Sequence, residues 1–341
     1  MNYNLKGKGI FVFSDPAGAN SVLALIDNFL AKGKQHGKDF LIFTNSVGIF
    51  SKSYENIVKR IEFNEGKAKR IIDDFKPDYI FSATSMNDFE HQWRKLAKNN
   101  NLKTIAFIDH WTSYYERFSF KGETVFTDEI WVINDVAKKE AIKAGIPEDL
   151  IIISGNPYYE KVKRFKPKIA KYNFFAKYKL NPTKKTILFI SDDIKRSFQS
   201  DENGNCVLGF DEYTILRDIL QGLKKLENKI DYQKYQLVLK LHPRDEVDKF
   251  KFITDSIIPQ NLKIHILPKC NPLTINYYSD YVLGMFSNMV IEAILMNKKL
   301  LRTQINEKID PLISFKISID NTPKITLKDV LVDTIYKFLE L

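Results

Sequence analysis

The chain is 341 residues long, beyond the length at which one hydrophobic core usually suffices, so two domains of roughly 150 residues each are expected. Its apolar fraction of 44% and charged fraction of 28% are ordinary globular values that exclude a low-complexity chain, and its two cysteines, Cys206 and Cys270, lack the spacing of a disulfide framework or a zinc site. The formal net charge of +10 suits nucleic acid, an anionic membrane surface or phosphate-bearing substrates, but lysines occur in nearly every segment, which favours a solvated basic surface and no nucleic-acid partner.

The N-terminal stretch MNYNLKGKGIFVFSD contains an apolar core, IFVF, too short for a secretory signal, and no later run approaches the roughly 20 apolar residues of a membrane span. A cytoplasmic protein is expected. GIFVFSD reads as a strand, followed by NSVLALIDNFLAKGK, where Val22, Leu23, Leu25, Ile26, Phe29 and Leu30 fall on one helical face. Strand and helix patterns then alternate through DFLIFTN, NEGKAKRIIDDFK, DYIFSAT, EHQWRKLAKNN, KTIAFID, DEIWVIN, DVAKKEAIKAG and IIISG. Near-continuous apolar strands in βαβα order predict a parallel sheet covered on both faces.

A polar, Lys-rich stretch separates this series from a second one. TILFISD, YQLVLKLHP, LKIHILP, YVLGMFS and KLLRTQ read as strands, with helices in FDEYTILRDILQGLKKLEN, VDKFKFITDSI, NPLTINYYSD and NMVIEAILMNK between them. The predicted fold class is α/β: two Rossmann-like, doubly wound domains facing a cleft. The expected boundaries are an N-terminal Rossmann-like domain over 1–160, a linker over 161–182, a second Rossmann-like domain over 183–322, and a C-terminal helix over 323–341 that packs back on the N-terminal domain.

In such folds ligands bind outside the carboxyl ends of the strands, so the residues just past each strand are the candidates. After the first strand, Asp15 offers a carboxylate, Gly18 permits close backbone approach and Asn20 adds an amide, beside the free amides of a helix start that can hold an anion or a sugar. After the third strand, Ser82, Thr84 and Ser85 can cap or bind, and Glu90 and His91 are candidate general bases. AFIDHWTSYYERF mixes titratable groups, Asp109, His110 and Arg117, with the flat surfaces of Trp111 and Tyr114, a combination suited to a sugar ring.

In the second half, FISDDIKRSF places Ser191, Lys195 and Arg196 where they can pair a diphosphate, while the adjacent Asp192 and Asp193 lack the DxD spacing of a metal grip. No metal and no cofactor is expected. In KLHPRD, Pro243 ends the strand and leaves His242 projecting at its carboxyl edge, where an imidazole can donate to a phosphate oxygen and Arg244 can add charge. In GMFSNMVIEAIL, Ser287 and Asn288 stand where a strand gives way to a helix, a phosphate site, and Glu292 one turn on can meet a ribose hydroxyl. Cooperation of His242 with Ser287 requires their strands to be neighbours.

The KLHP at Lys240 to Pro243 and the strand–Ser287–helix unit resemble the HP and Ser/Thr motifs of bacterial sialyltransferases, polysialyltransferases and teichoic-acid-type polymerases. The resemblance implies a GT-B glycosyltransferase with a CMP- or CDP-linked donor held by the C-terminal domain at His242, Ser287 and Asn288, and metal-independent chemistry with inversion. Asp15, Glu90 or the Asp109/His110 pair would then deprotonate an acceptor hydroxyl on a glycan or lipid-linked chain, as in capsule or lipopolysaccharide synthesis at the inner membrane face. Two features depart from that pattern: no acidic pair followed by Gly marks the base, and Ser287-Asn288 replaces a Ser-Ser or Ser-Thr pair. ISGNPYYEKV also resembles the interdomain segment of nucleotide-sugar 2-epimerases, which makes a 2-epimerase or hydrolase of the same fold the alternative. A non-catalytic nucleotide- or nucleic-acid-binding protein is the third reading.

Overall fold

The computed structural model describes residues 3, 5–111, 113–198, 200, 202, 204, 206–285, 287–303, 324–325 and 335–339. The chain divides into two compact units, Met1–Lys161 and Val162–Leu341.

The first unit is built on a seven-stranded sheet in the order β3-β2-β1-β4-β5-β8-β9, every pair parallel. The strands are β1 (Gly9–Val12), β2 (Phe40–Thr44), β3 (Val58–Arg60), β4 (Tyr79–Ser82), β5 (Lys103–Ile108), β8 (Glu129–Val132) and β9 (Ile151–Ile153). A small antiparallel hairpin, β6 (Ser119–Phe120) and β7 (Glu123–Thr124), stands apart from the sheet. Four helices connect the strands: α1 (Pro16–Ala31), α2 (Glu65–Phe75), α3 (Asp88–Asn99) and α4 (Asp135–Lys143). Each begins at a side-chain cap, Asp15, Asn64, Asn87 and Asn134 in turn, that accepts a first-turn amide. Because a strand end and a cap lie within a few residues of each other, the caps gather at the carboxyl edge of the sheet.

Alternation along β1 divides the core. Phe11 enters one face with Phe29, Phe40, Tyr79 and Phe81, while Ile10 and Val12 enter the other with Phe43, Ile80 and Trp93. Trp93 is fully buried and stacks on Phe43 with ring centroids 5.5 Å apart and an interplanar angle of 7°.

The second unit carries a six-stranded parallel sheet in the order β12-β11-β10-β13-β14-β15. Its strands are β10 (Lys185–Ile190), β11 (Tyr235–Lys240), β12 (Lys263–Leu267), β13 (Tyr281–Gly284), β14 (Lys299–Thr303) and β15 (Lys324–Ile325). The intervening helices are α7 (Ile194–Ser197), α8 (Glu212–Lys225), α9 (Lys251–Thr254), α10 (Pro272–Tyr278) and α11 (Asn288–Leu295); α5 (Pro157–Lys163) and α6 (Lys171–Lys177) precede them. Ile187, Phe189, Leu237 and Leu239 pack under α8, and Leu188, Ile190, Val238 and Val282 pack on the opposite face with α6, α10 and α11.

In both units the strand order reverses once. Strands β1 to β3 run outward in one direction and β4 then returns to the other side of β1; β10 to β12 run outward and β13 returns to the other side of β10. At such a switch point successive crossovers leave toward opposite faces and open a crevice at the strand tips.

The structure departs from the sequence reading in four places. Helix α1 starts at Pro16 rather than Asn20, because Asp15 caps it and Pro suits the first turn. The strand β3 and the β6–β7 hairpin are too short for periodicity to reveal. The expected linker contains α6, whose Phe174 and Phe175 are buried in the core of the second unit. Most of the C-terminal stretch expected to pack on the N-terminal domain lies outside the described residues, but Ile335 and Leu339 sit in the core of the second unit, and the Tyr281 hydroxyl donates to the Leu339 carbonyl at 2.9 Å.

Trp93→Ala removes the largest side chain of the α3 face and is expected to destabilise the first unit by about 3–5 kcal/mol in urea denaturation. A loss below about 1 kcal/mol would mean that the surrounding side chains collapse into the space.

Candidate functional site

At the β1/β4 switch point, four polar side chains form one knot. Ser14, just past β1, and Ser85, just past β4, both donate to Glu90 Oε2, at 2.5 and 2.6 Å, and Asn87 Nδ2 donates to Ser14 Oγ at 2.6 Å. Glu90 is fully buried on α3, and its other oxygen, Oε1, has no hydrogen-bond partner among the described residues. Burial pushes its carboxyl up, partly offset by the two serine hydroxyls and by Arg94 one turn on. Arg94 is itself buried, which lowers it to about 10, so it remains cationic; it donates to the carbonyls of Ala83 and Arg117. Glu90, expected as a candidate base, therefore ties the two strand tips together and is enclosed within this knot. His91, the next residue, faces the other way and packs against Phe120 of the hairpin.

A second cluster lies one strand over. Asp109, just past β5, is paired with Arg117 at 3.3 Å, with both side chains largely buried, and Arg117 also donates to the Thr84 carbonyl at 2.6 Å. Burial raises the Asp109 carboxyl to about 6, against the pull of Arg117 and with the charges of Asp15 and Glu90 adding to the rise. The adjacent His110 is lowered to about 4 by burial and by Arg117, so it is neutral at neutral pH. The structure thus brings Asp15, Thr84, Ser85, Asp109, His110 and Arg117 to the carboxyl edge of one sheet. Among the carboxylates of this edge, Asp109 combines ionisation at neutral pH with a ready capacity to take a proton, the property of a general base.

Other candidates are packed in the core or exposed on a helix. Gly18 lies against β4 rather than a ligand: a Cβ there would sit 2.6 Å from Ala83 Cβ. Asn20 is exposed on α1. Trp111 is 4% exposed, donates to Asn134 at 3.3 Å and stacks on Tyr159 with centroids 6.3 Å apart, and Tyr114 is 5% exposed. Neither ring offers a free face to a sugar, so the expected platform is corrected to core.

In the second unit, His242 and Ser287 do not stand on neighbouring strands. β10 runs between β11 and β13, so Ser191 at the β10 tip separates them. Ser191 is buried and donates to Asp245 Oδ2 at 3.0 Å, and the His242 amide donates to the same oxygen at 2.9 Å. The Lys249 ammonium meets Asp245 at 2.7 Å and Glu212 at 2.9 Å, with all three side chains almost wholly buried. Burial pulls Lys249 down, but the hydrogen bonds of the two carboxylates outweigh it and leave the ammonium more strongly held than usual. Glu212 also accepts the amides of Ile194 and Lys195, each at 3.1 Å. One buried Asp–Lys–Glu unit therefore fixes both the loop after β10 and the loop after β11. Asp245 lay inside the HPRD motif, but Glu212 and Lys249 gave no local signal in the sequence.

The half-buried His242 has its pKa lowered, chiefly by burial, with Asp193 pulling the other way. Its Nδ1 accepts from the Arg244 amide at 3.3 Å, so in the neutral ring the proton sits on Nε2. Arg244 pairs with Asp193 at 2.9 Å, while exposed Pro243 turns the chain between them. Lys195 lies over the Tyr213 ring, 5.1 Å from its centroid. Ser287 occupies the cap position of α11 and its hydroxyl makes no hydrogen bond among the described residues; Asn288 is exposed in the first turn, and Glu292 is buried one turn on. Asp193, His242 and Asp245 can each bring a ligand atom within 4.8 Å of the others, the arrangement of a metal site. Arg244 and Lys249 already neutralise its two carboxylates.

No family model and no curated protein matches the chain. Solved structures do. The UDP-GlcNAc 2-epimerase of Neisseria meningitidis, bound to UDP-GlcNAc, superposes with a TM-score of 0.70 at 13% identity, over 98% of this chain and 91% of that one. The enzyme of the same description from Methanocaldococcus jannaschii gives 0.64 at 12% identity, over 98% and 92%. Anabaena Alr3699/HepE in complex with UDP-glucose gives 0.59 at 13% identity, over 97% and 90%. At these identities the likeness establishes the fold: two parallel-sheet Rossmann-like units of the GT-B-like kind.

The neighbours overturn the glycosyltransferase expectation. UDP-GlcNAc 2-epimerases stand among them where sialyltransferases were expected, and transfer to a capsule or lipopolysaccharide acceptor is withdrawn with that expectation. The HP and Ser motifs describe how a strand tip can grip a phosphate, which is common to enzymes of different reaction type. Among the described residues no helix is long and apolar enough to cross a membrane.

Two outcomes follow from these buried charges. Lys249→Met leaves Asp245 and Glu212 without their cation and is expected to cost about 3–5 kcal/mol in urea denaturation, whereas an exposed control such as Lys67→Met stays within about 0.5 kcal/mol. For Asp109, the carboxyl moves from its ordinary 3.8 to about 6 on folding, so the folded chain holds the proton more tightly. The contribution of this group to stability is then greatest below pH 3.8 and falls by about 3 kcal/mol as pH rises through 6. Asp109→Asn is expected to remove that component from the pH–stability profile, and an unchanged profile would contradict the raised value.

Proposed function

We propose that the protein is a nucleotide-sugar 2-epimerase, or a hydrolysing enzyme of the same fold, acting on a uridine-diphosphate sugar. The observation that carries this reading is Asp109, a carboxylate poised near pH 6 at the tip of β5 and paired with Arg117 at 3.3 Å. The fold likeness to UDP-GlcNAc 2-epimerases along nearly the whole chain supports it, and the UDP-GlcNAc and UDP-glucose held by neighbours favour uridine over cytidine nucleotides as the first substrates to test.

The chemistry asks for what these residues offer. Carbon 2 of an aldose in its ring form bears no acidic proton, so a base can remove it only as the bond from carbon 1 to the diphosphate oxygen breaks, that oxygen leaving with the electron pair. Return of a proton to the opposite face, with re-formation of the bond at carbon 1, inverts carbon 2; water adding at carbon 1 instead gives hydrolysis. In this reading Asp109 takes the proton. In the second unit the Ser287 hydroxyl and the opening amides of α11 are donors suited to a diphosphate, whose negative charge grows as it departs, while His242 Nε2 stands two strands away, across Ser191. Glu90 and the Asp245–Lys249–Glu212 unit position these groups without touching substrate.

Incubation with UDP-GlcNAc in deuterium oxide, followed by proton NMR, tests the proposal. The expected result is deuterium at carbon 2 together with the epimer or released UDP, with the rate falling about tenfold per pH unit below 6, where Asp109 becomes protonated. Asp109→Asn should lose at least about 100-fold in rate and the acid limb with it. Release of UDP only in the presence of an acceptor sugar, with no exchange at carbon 2, would overturn the reading.

A further inference from the structure

The formal charge of +10 arises from 52 basic and 42 acidic residues. It is concentrated in one place. The stretch from Lys161 to Lys185 contains ten basic residues and no acidic one, which leaves 42 bases against 42 acids in all the rest of the chain. The apparent scatter of lysines elsewhere is matched by carboxylates, so the whole excess belongs to this stretch.

The stretch is held in place. Phe174 and Phe175 anchor α6 in the core of the second unit, and the Tyr278 hydroxyl donates to the Ile169 carbonyl at 2.5 Å. Around these anchors Lys166, Lys168, Lys177 and Lys179 are exposed, and among the described residues none of the four pairs with a carboxylate. Two apolar side chains stand among them in water, Ile169 at 37% and Tyr172 at 69% exposure. Lys179 to Lys185 lead into the amino end of β10, the end opposite the tips that carry the chemistry.

We propose that this face docks on an anionic lipid bilayer. Nine of the ten bases are lysines, compact charges that interact with a diffuse anionic layer, whereas base- and phosphate-specific recognition draws on the arginine fork. Ile169 and Tyr172 decide between the polyanions: an apolar phase rewards burial of an isoleucine and seats a tyrosine at the headgroup level, which a nucleic-acid backbone does not. The lysine stems lie along the surface with their ammonium groups among the lipid phosphates.

Sedimentation of the full-length protein with vesicles of phosphatidylcholine alone, and of equal parts phosphatidylcholine and phosphatidylglycerol, tests this. Binding is expected only to the anionic vesicles, and to be lost at high salt. The variant Lys166→Glu, Lys168→Glu, Lys177→Glu, Lys179→Glu should lower partitioning roughly 100-fold, and Ile169→Ser with Tyr172→Ser roughly 10-fold. A reversal of equal charge at exposed Lys38, Lys52, Lys59 and Lys67 of the first unit should change it less than about 3-fold. Should the first reversal fail to fold, Lys→Gln at the same four positions reads the same loss at smaller amplitude. The proposal fails if the wild type ignores anionic vesicles, if both reversals weaken binding equally, or if the Ile169/Tyr172 variant binds as well as the wild type, which would mark a general polyanion site.

Discussion

Where a parallel sheet reverses its strand order, two crossovers leave a strand pair toward opposite faces, and the polar ends of the chain must be satisfied in the gap between them. Both units of this protein are organised around that constraint. In the first it falls between β1 and β4, where Ser14, Ser85, Asn87 and Glu90 tie the two tips together. In the second it falls beside β10, whose Ser191 is bound to the Asp245 that also fixes the β11 tip. The side chains that could do chemistry are held by these knots.

The two units treat charge differently. Lys249 lies between two carboxylates at salt-bridge distance, so the enclosed charges have close partners and the loops they anchor are rigid. Asp109 has the single guanidinium of Arg117, which does not offset its loss of water, and its carboxyl stays well above the usual range. A group held in that state costs folding stability. It is also the state in which a carboxylate exchanges protons near neutral pH, and such trade-offs concentrate at sites of function.

The fold was legible because its signals are local. Apolar runs marked the main strands and helical spacing marked α1, α3 and α8, since each depends on residues a few positions apart. Candidate positions at strand tips followed from topology alone; Asp109, His110 and His242 do stand at such tips, and Arg117 reaches Asp109 from a turn farther along the chain. Short elements such as β3 and the β6–β7 hairpin carried too few residues to show a period. The reaction type was misread because the HP and Ser motifs are short stretches at strand tips, which enzymes of unlike chemistry share.

The sequence by itself determined the longer strands and helices and, once acids are counted against bases, the excess of positive charge between Lys161 and Lys185. Only the tertiary structure decided which polar groups meet. Glu90 and His91 are adjacent in the chain, yet one enters the knot at the strand tips and the other packs on the hairpin. Trp111 and Tyr114 looked like a sugar platform and are core, while Glu212, far from HPRD in sequence, completes its charge network. Periodicity is written in near neighbours; strand order and the facing of side chains come from packing between segments distant in the chain, and no short window of residues contains them.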